Sequence, residues 1–84
     1  MSMGDAEKVE RLVGYLVTEI VERPSDVTVT MVKNRPRRVL AEVRAAKQDM
    51  GRLIGRRGRT ANAIRTLAQL VCDDDWIVEI EFLD

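Results

Sequence analysis

Histidine is absent from the 84-residue chain, and cysteine occurs only once. Without histidine the chain lacks the commonest general base, and no nucleophilic side chain has an evident partner, so an enzyme is not expected. The glycines Gly51, Gly55 and Gly58 fit neither the P-loop nor the dinucleotide-binding spacing. Adjacent carboxylates such as Asp73 to Asp75 do not converge on one ion by themselves, and they suit a solvated turn better. We therefore expect no catalytic residue, no metal, no cofactor and no small-molecule substrate.

Long apolar runs and aromatic residues are also scarce. No stretch reaches the roughly 18 apolar residues of a membrane span, and the first ten residues lack the apolar core of a signal peptide. A single cysteine, Cys72, cannot form a disulfide within the chain. These absences favour a soluble cytoplasmic protein without membrane contact. With one Trp, one Tyr and one Phe, the chain lacks the stacking surfaces of an RNA-recognition motif or an OB fold.

The net charge is zero, but the charges are unevenly distributed. Residues 33–65 contain eleven basic and two acidic residues, a local net charge of +9, while the remainder contains three basic and twelve acidic residues. Such asymmetry indicates a basic surface for a polyanion, with solvated and screened charges as the alternative interpretation. The cluster Arg35 to Arg38 could extend a nucleic-acid track or form a solvated turn.

Hydrophobic periodicity in the first half predicts a helix followed by two strands. Apolar residues between Val9 and Val21 recur at helical spacing, and Pro24 ends that helix. Residues 26–32 and 38–47 alternate between apolar and polar side chains, which is typical of half-buried strands. Asn34 and Pro36 mark the turn between them.

The second half predicts two helices and a last strand. Asp49 is expected to cap a short helix that holds Met50, Leu53 and Ile54. After Gly55 and Gly58 a longer helix covers residues 59–73, and an alternating strand begins at residue 76. The order is α-β-β-α-α-β. It predicts an α+β, two-layer α/β sandwich in which three helices cover one face of a three-stranded mixed sheet. The chain length suits one domain, residues 1–84, with about the first four residues flexible.

The loop Gly55-Arg56-Arg57-Gly58 lies between the two predicted helices. A glycine pair of this spacing is weak evidence alone, but its arginines, the preceding apolar pair and the element order make it informative. The segment DMGRLIGRRGRTANAIRTL resembles the central signature of bacterial single-KH proteins of the KhpA family, and the resemblance extends over about residues 5–83. It implies a KH fold of the second topological type, with residues 1–84 as a single KH domain.

The resemblance implies that single-stranded RNA binds at the glycine loop. Glycines let phosphates approach the main chain, and the following helix N-terminus favours an anion. The expected RNA-binding residues are Ile54, Gly55, Arg56, Arg57, Gly58 and Arg59. The bases would lie between the flanking helix and a neighbouring strand, with candidate groove residues Gly51, Arg52, Leu40, Glu42 and Arg44.

The long helix carries more apolar surface than one sheet contact requires. Ala61, Ile64, Ala68 and Val71 form one stripe, and Ala63, Leu67 and Leu70 widen it towards half of the helix. The surplus predicts a homodimer, or pairing with a second KH protein, and the family resemblance implies that this second protein is KhpB-like.

Two functional hypotheses remain open. The first is an RNA chaperone or post-transcriptional regulator, which the family resemblance links to control of the cell envelope and cell shape. The second is a protein-interaction module that keeps the fold without binding RNA. A ribosome-associated RNA-binding factor is a further alternative to both. The loop arginines favour an RNA binder.

Overall fold

Helices and strands follow the predicted order. The computed structural model describes residues 4–83, and for residues 33 and 34 the backbone alone. The helices are α1 (Asp5–Ile20), α2 (Met50–Ile54) and α3 (Arg59–Leu70), and the strands are β1 (Thr28–Arg35), β2 (Arg38–Arg44) and β3 (Ile77–Leu83). Short 3₁₀ turns cover Pro24–Asp26, Lys47–Asp49 and Arg56–Gly58.

The three strands form one mixed sheet in the order β1-β2-β3. Strand β2 pairs antiparallel with β1 and parallel with β3, in a register that runs from Arg38 opposite Ile77 to Arg44 opposite Leu83. Parallel neighbours need a crossover connection, which α2 and α3 provide. The predicted hairpin, the parallel pair and the α+β architecture are confirmed.

The core lies between the helices and one face of the sheet. Val39, Ala41 and Val43 alternate along β2 and are fully buried against the helix layer. Removing such apolar surface from water is the main stabilising contribution in a domain of this size. The helices contribute Val9, Val13, Val17, Leu53, Ala61, Ile64 and Ala68. The predicted apolar stripes of α1 and α3 are therefore core-facing.

Several element boundaries differ from the predicted ones. Helix α3 ends at Leu70, because the Cys72 amide turns back to the Gln69 carbonyl oxygen at 3.3 Å. Strand β2 ends at Arg44, since the Asp49 amide donates to Ala46 O and closes a 3₁₀ turn. Strand β1 begins at residue 28 and continues to residue 35, so Asn34 belongs to the strand and the turn is Pro36-Arg37.

The prediction that Asp49 caps α2 with its side chain is wrong. No side-chain cap hydrogen bond forms at this helix start. Instead, the buried Asp49 carboxylate accepts hydrogen bonds from the backbone amides of Glu22 and Arg23, at 3.1 and 3.2 Å. Helix α1 ends there with Val21 in an extended conformation, which leaves these amides without helical acceptors. Asp49 thus ties the end of α1 to the beginning of α2.

Candidate nucleic-acid interface

The glycine loop between α2 and α3 has an unusual backbone. Gly55 has φ 76° and ψ 171°, Arg57 has φ 58°, and Gly58 has φ 72°. The Gly55 conformation is one that essentially only glycine adopts. Because three of four consecutive residues have positive φ, the chain reverses tightly and enters α3 directly from Gly58.

The two glycines have different roles. A Cβ atom at Gly55 would collide with the Thr60 hydroxyl and would lie 2.8 Å from Thr60 Cβ and 2.9 Å from Thr60 N. A Cβ atom at Gly58 would meet only Asn62 Nδ2, at 4.0 Å. Gly55 is therefore required by the packing of the loop on α3, whereas Gly58 keeps the outer surface of the loop open.

Some backbone amides of the loop have no internal acceptor. Gly58 N donates to Gly55 O at 3.1 Å, and the Arg59 amide donates to Arg56 O. Within residues 4–83 the amides of Arg56 and Arg57 donate no backbone hydrogen bond. Helix α3 also begins without a side-chain cap. Unpaired amides at the positive end of a helix dipole form a favourable site for a phosphate group.

The loop arginines are available to a ligand. Arg56, Arg57 and Arg59 are exposed and take part in no ion pair within residues 4–83. A guanidinium group presents several N–H donors in a geometry that matches phosphate oxygens. Positive charge and free amides therefore coincide at the loop.

The arginines of the β1-β2 hairpin, unlike those of the loop, form ion pairs. Arg37 pairs with Asp75 and Arg38 with Glu79, both at 2.9 Å. These carboxylates offset the charge of the turn, and the hairpin lies beside the start of β3, where the Ile77 amide donates to Arg37 O. The geometry favours an ion-paired turn over a continuation of the RNA track.

Helix α2 is held in place next to the loop. Arg52, a predicted groove residue, pairs with the carboxylate of Glu22, while the amide of the same Glu22 donates to Asp49. Gly51 is exposed on the same helix and has open space around it. Ile54, the predicted apolar floor, is 43% exposed at the end of α2 beside the loop. The structure thus brings Ile54 and the loop residues together.

The structure does not bring the β2 candidates to the loop. Leu40, Glu42 and Arg44 alternate with buried residues and lie on the sheet face opposite the helices. Leu40 lines a shallow cavity of about 420 Å³ there with Val32, Arg35, Arg38 and Glu79. Strand β2 is central in the sheet, so the strand whose edge runs beside α3 is β3.

Sequence reasoning missed the side chains of α3 that face this edge. Gln69 Nε2 donates to Trp76 O at 2.8 Å, and Gln69 Oε1 accepts from Val78 N at 3.2 Å. Arg65 donates to Ile80 O further along the strand. A polar stripe at positions 62, 65 and 69, which borders the core stripe, was the available signal. These contacts protect an edge strand that would otherwise expose unpaired backbone groups.

The predicted partner surface on α3 is solvent-exposed. Ala63 is exposed, and Leu67 and Leu70 have exposed fractions of 43% and 73%. Within residues 4–83 no group of His, Cys, Asp or Glu side chains is arranged to hold a metal ion, and no helix there is long and apolar enough to cross a bilayer.

The element order, the parallel pair β2-β3 and the glycine loop between α2 and α3 define a KH domain of the second topological type. The model of the KhpA/KhpB KH domain matches residues 10–80. The chain therefore belongs to the KhpA/KhpB family.

Curated relatives agree with this assignment. The RNA-binding protein KhpA of Leifsonia xyli is 48% identical over 59 residues, which cover 70% of this chain and 76% of the relative. The Treponema pallidum protein of the same name is 41% identical over 58 residues, covering 69% and 71%. That of Chlamydia muridarum is 34% identical over 77 residues, covering 90% and 97%.

A solved structure shares the fold. A crystal structure of Aquifex aeolicus Era matches 98% of this chain with a TM-score of 0.63 at 14% sequence identity. The chain spans 31% of the Era chain. At this identity the likeness shows the fold alone.

Proposed function

We propose that the chain binds single-stranded RNA, with the backbone of the strand held by the loop from Gly55 to Gly58. The observation that carries the proposal is the coincidence of unpaired loop amides with three arginines that have no ion-pair partner within residues 4–83. KH loops of this kind clamp the backbone of about four nucleotides. The relatives named RNA-binding protein KhpA support the same activity.

The proposed binding surface has three parts. The loop amides and arginines contact phosphates, Ile54 supplies an apolar contact at the end of α2, and the edge of β3 forms the far wall. Phosphate contacts position a strand without selecting its sequence. A single loop therefore provides modest, sequence-tolerant affinity, which a second KH domain would raise by avidity.

The decisive test is charge reversal in the loop. The double variant Arg56→Asp, Arg57→Asp should lower affinity for an eight-nucleotide RNA at least about 100-fold, since two charge-assisted hydrogen bonds of ~1.5–3 kcal/mol each are lost. Fluorescence anisotropy at fixed salt measures the affinity, and circular dichroism checks the fold. Single-stranded DNA of the same sequence is titrated in parallel.

A control variant matches the change in net charge. Arg11 and Arg23 are exposed and lie outside the loop, in the acidic part of the chain. Arg11→Asp with Arg23→Asp should leave RNA affinity within about threefold, because long-range charge is screened at physiological salt. Equal losses for the two double variants would contradict a site at the loop.

Self-association through α3 is part of the same proposal. The exposed face of Ala63, Leu67 and Leu70 is apolar and suits a second copy of the chain or a KhpB-like KH protein. Pairing would place two RNA-binding loops on one particle. A role as an RNA chaperone or post-transcriptional regulator that affects the cell envelope and cell shape rests on the family resemblance.

The proposed activity is binding without catalysis, in the cytoplasm. Burial, together with the nearby Asp5 carboxylate, raises the pKa of the Cys72 thiol above its ordinary value. The thiol therefore stays protonated near neutral pH and is a poor nucleophile.

A further inference from the structure

A polar track leads from the glycine loop along α3 to the edge of β3. Asn62 Nδ2 lies 4.0 Å from the position that a Cβ atom of Gly58 would occupy. Asn62 Oδ1 in turn accepts a hydrogen bond from Arg65 Nη1 at 3.0 Å. Arg65 therefore continues the surface that begins at the loop.

The Arg65 guanidinium group is held in one place by three neighbours. Nε and Nη2 donate to the Ile80 carbonyl oxygen at 3.4 and 3.2 Å, and the guanidinium carbon lies 5.6 Å from the centroid of the Phe82 ring. Together with Asn62, these contacts orient a side chain that is otherwise flexible. A group oriented in advance loses less conformational entropy when it binds a ligand.

Two donors of this group remain for a ligand. A guanidinium group has five N–H donors, and three are used by Ile80 and Asn62. The remaining two belong to Nη1 and Nη2. These terminal nitrogens present a planar pair of donors, which matches a ligand with two adjacent acceptors.

Arg65 is within reach of a strand held by the loop. It lies seven residues after Gly58, which is about 10 Å along the helix axis. Side chains on a helix lean towards its N-terminus, and the contact with Asn62 shows this direction. A base attached to a nucleotide that the loop clamps can therefore extend along α3 to this group.

We propose that Arg65 binds a guanine base of the single strand whose backbone the loop holds, by donating from Nη1 and Nη2 to O6 and N7. This inference rests on the proposed RNA binding and adds base selection to it. Guanine presents these two acceptors side by side, and the paired contact with arginine is the commonest specific one between a protein and a base. Adenine has an amino donor at the position of O6, and uracil has no N7 acceptor.

The first test changes the RNA and leaves the protein intact. Eight-nucleotide oligouridines with one central G, A, C, inosine or 7-deazaguanosine are compared with oligouridine by fluorescence anisotropy at fixed salt. The G oligomer should bind about tenfold more tightly than the A, C and U oligomers. Inosine keeps O6 and N7 and should bind like G, whereas 7-deazaguanosine lacks N7 and should lose most of the preference.

The second test changes the protein. Arg65→Gln removes the guanidinium group and its planar pair of donors, so the preference for G should disappear while affinity for oligouridine stays within about threefold. Arg44→Gln, on the opposite sheet face, is the matched control and should keep the preference. Thermal unfolding of both variants checks the fold, and the 7-deazaguanosine result is independent of any loss of stability.

The outcomes separate this inference from the proposed function. Equal affinity for all oligomers, a preference for C or A, or a preference for G that survives in Arg65→Gln would overturn the base contact. A uniform loss for every oligomer in Arg65→Gln would assign Arg65 to a phosphate and also overturn it. If charge reversal in the loop still abolishes binding in those cases, the proposed RNA-binding loop is supported without the base contact. If no RNA binds, both the proposed function and the base contact are contradicted.

Discussion

At the scale of single residues, the two loop glycines should respond differently to the same substitution. Gly55→Ala forces an L-residue into a conformation reserved for glycine and against the backbone nitrogen of Thr60. We expect a loss of about 3 kcal/mol or more in the free energy of unfolding. The Cβ added by Gly58→Ala lies in open space, so only the left-handed backbone conformation should lower the free energy of unfolding, by about 1–2 kcal/mol. Urea denaturation followed by circular dichroism measures both.

Gly14→Ala, in the middle of α1, serves as the control. No atom lies within 4 Å of the added Cβ, and alanine should raise helix stability by up to about 1 kcal/mol. Gly58→Ala should also weaken RNA binding although the protein stays folded, because its Cβ would add bulk to the open surface of the proposed RNA-binding loop. Similar unfolding energies for Gly55→Ala and Gly14→Ala would show that the loop conformation is not required.

Some residue roles could be predicted from the sequence and others could not. The loop glycines and arginines form a local pattern, so a role for them could be proposed without a structure. The hydrogen-bond partner of Asp49 could not be predicted, because the Glu22 amide lies 27 positions away and only the fold brings the two together. The cap preference of Asp is a local rule, and a competing tertiary contact overrode it.

At the scale of elements, α3 contributes its core-facing stripe to this domain and exposes Leu67 and Leu70 on its outer face. We expect the protein to self-associate, and Leu67→Glu with Leu70→Glu to make it monomeric, since burying charges in an apolar contact is unfavourable. Sedimentation equilibrium over increasing concentration gives the mass. Ile77→Glu, an equally exposed apolar position on the opposite sheet face, should leave the mass unchanged.

Two results would contradict this role of α3. A wild-type protein that stays monomeric at millimolar concentration would remove the homodimer, and only the pairing with a second KH protein would then remain to be measured. Dissociation by Ile77→Glu, but not by the α3 variants, would place the contact on the open face of the sheet.

Element order was predictable, but the strand that borders α3 was not. Apolar residues repeat every 3.6 residues in a helix and every two in a strand, so both patterns can be read locally. A strand that follows two crossover helices pairs parallel with the strand before them for steric reasons. Which strand edge borders α3 depends on the sheet order. Analogy with other KH domains suggested Leu40, Glu42 and Arg44, yet β2 is central and those side chains face away from α3.

At the scale of the whole molecule, the basic part of the chain is divided between two ends of the sheet. Gln69 contacts the start of β3 and Arg65 its later part, so α3 runs antiparallel to β3 and the loop lies at the far end from the hairpin. The hairpin arginines Arg37 and Arg38 have carboxylate partners, and the loop arginines have none within residues 4–83. A chain of zero net charge therefore has one end where basic side chains lack carboxylate partners within residues 4–83.

This division predicts how RNA affinity depends on salt. Each phosphate that a cationic side chain neutralises contributes about −0.7 to the slope of log K against log salt concentration for a single strand. Contacts from Arg56, Arg57 and Arg59 together should give a slope of about −2, and Arg57→Ala should reduce its magnitude by about 0.7. Arg37→Ala should leave the slope unchanged, because Asp75 already neutralises Arg37 at the other end of the sheet. Anisotropy titrations at four or more salt concentrations give the slopes, and an equal reduction in both variants would mean that the strand extends over the hairpin as well.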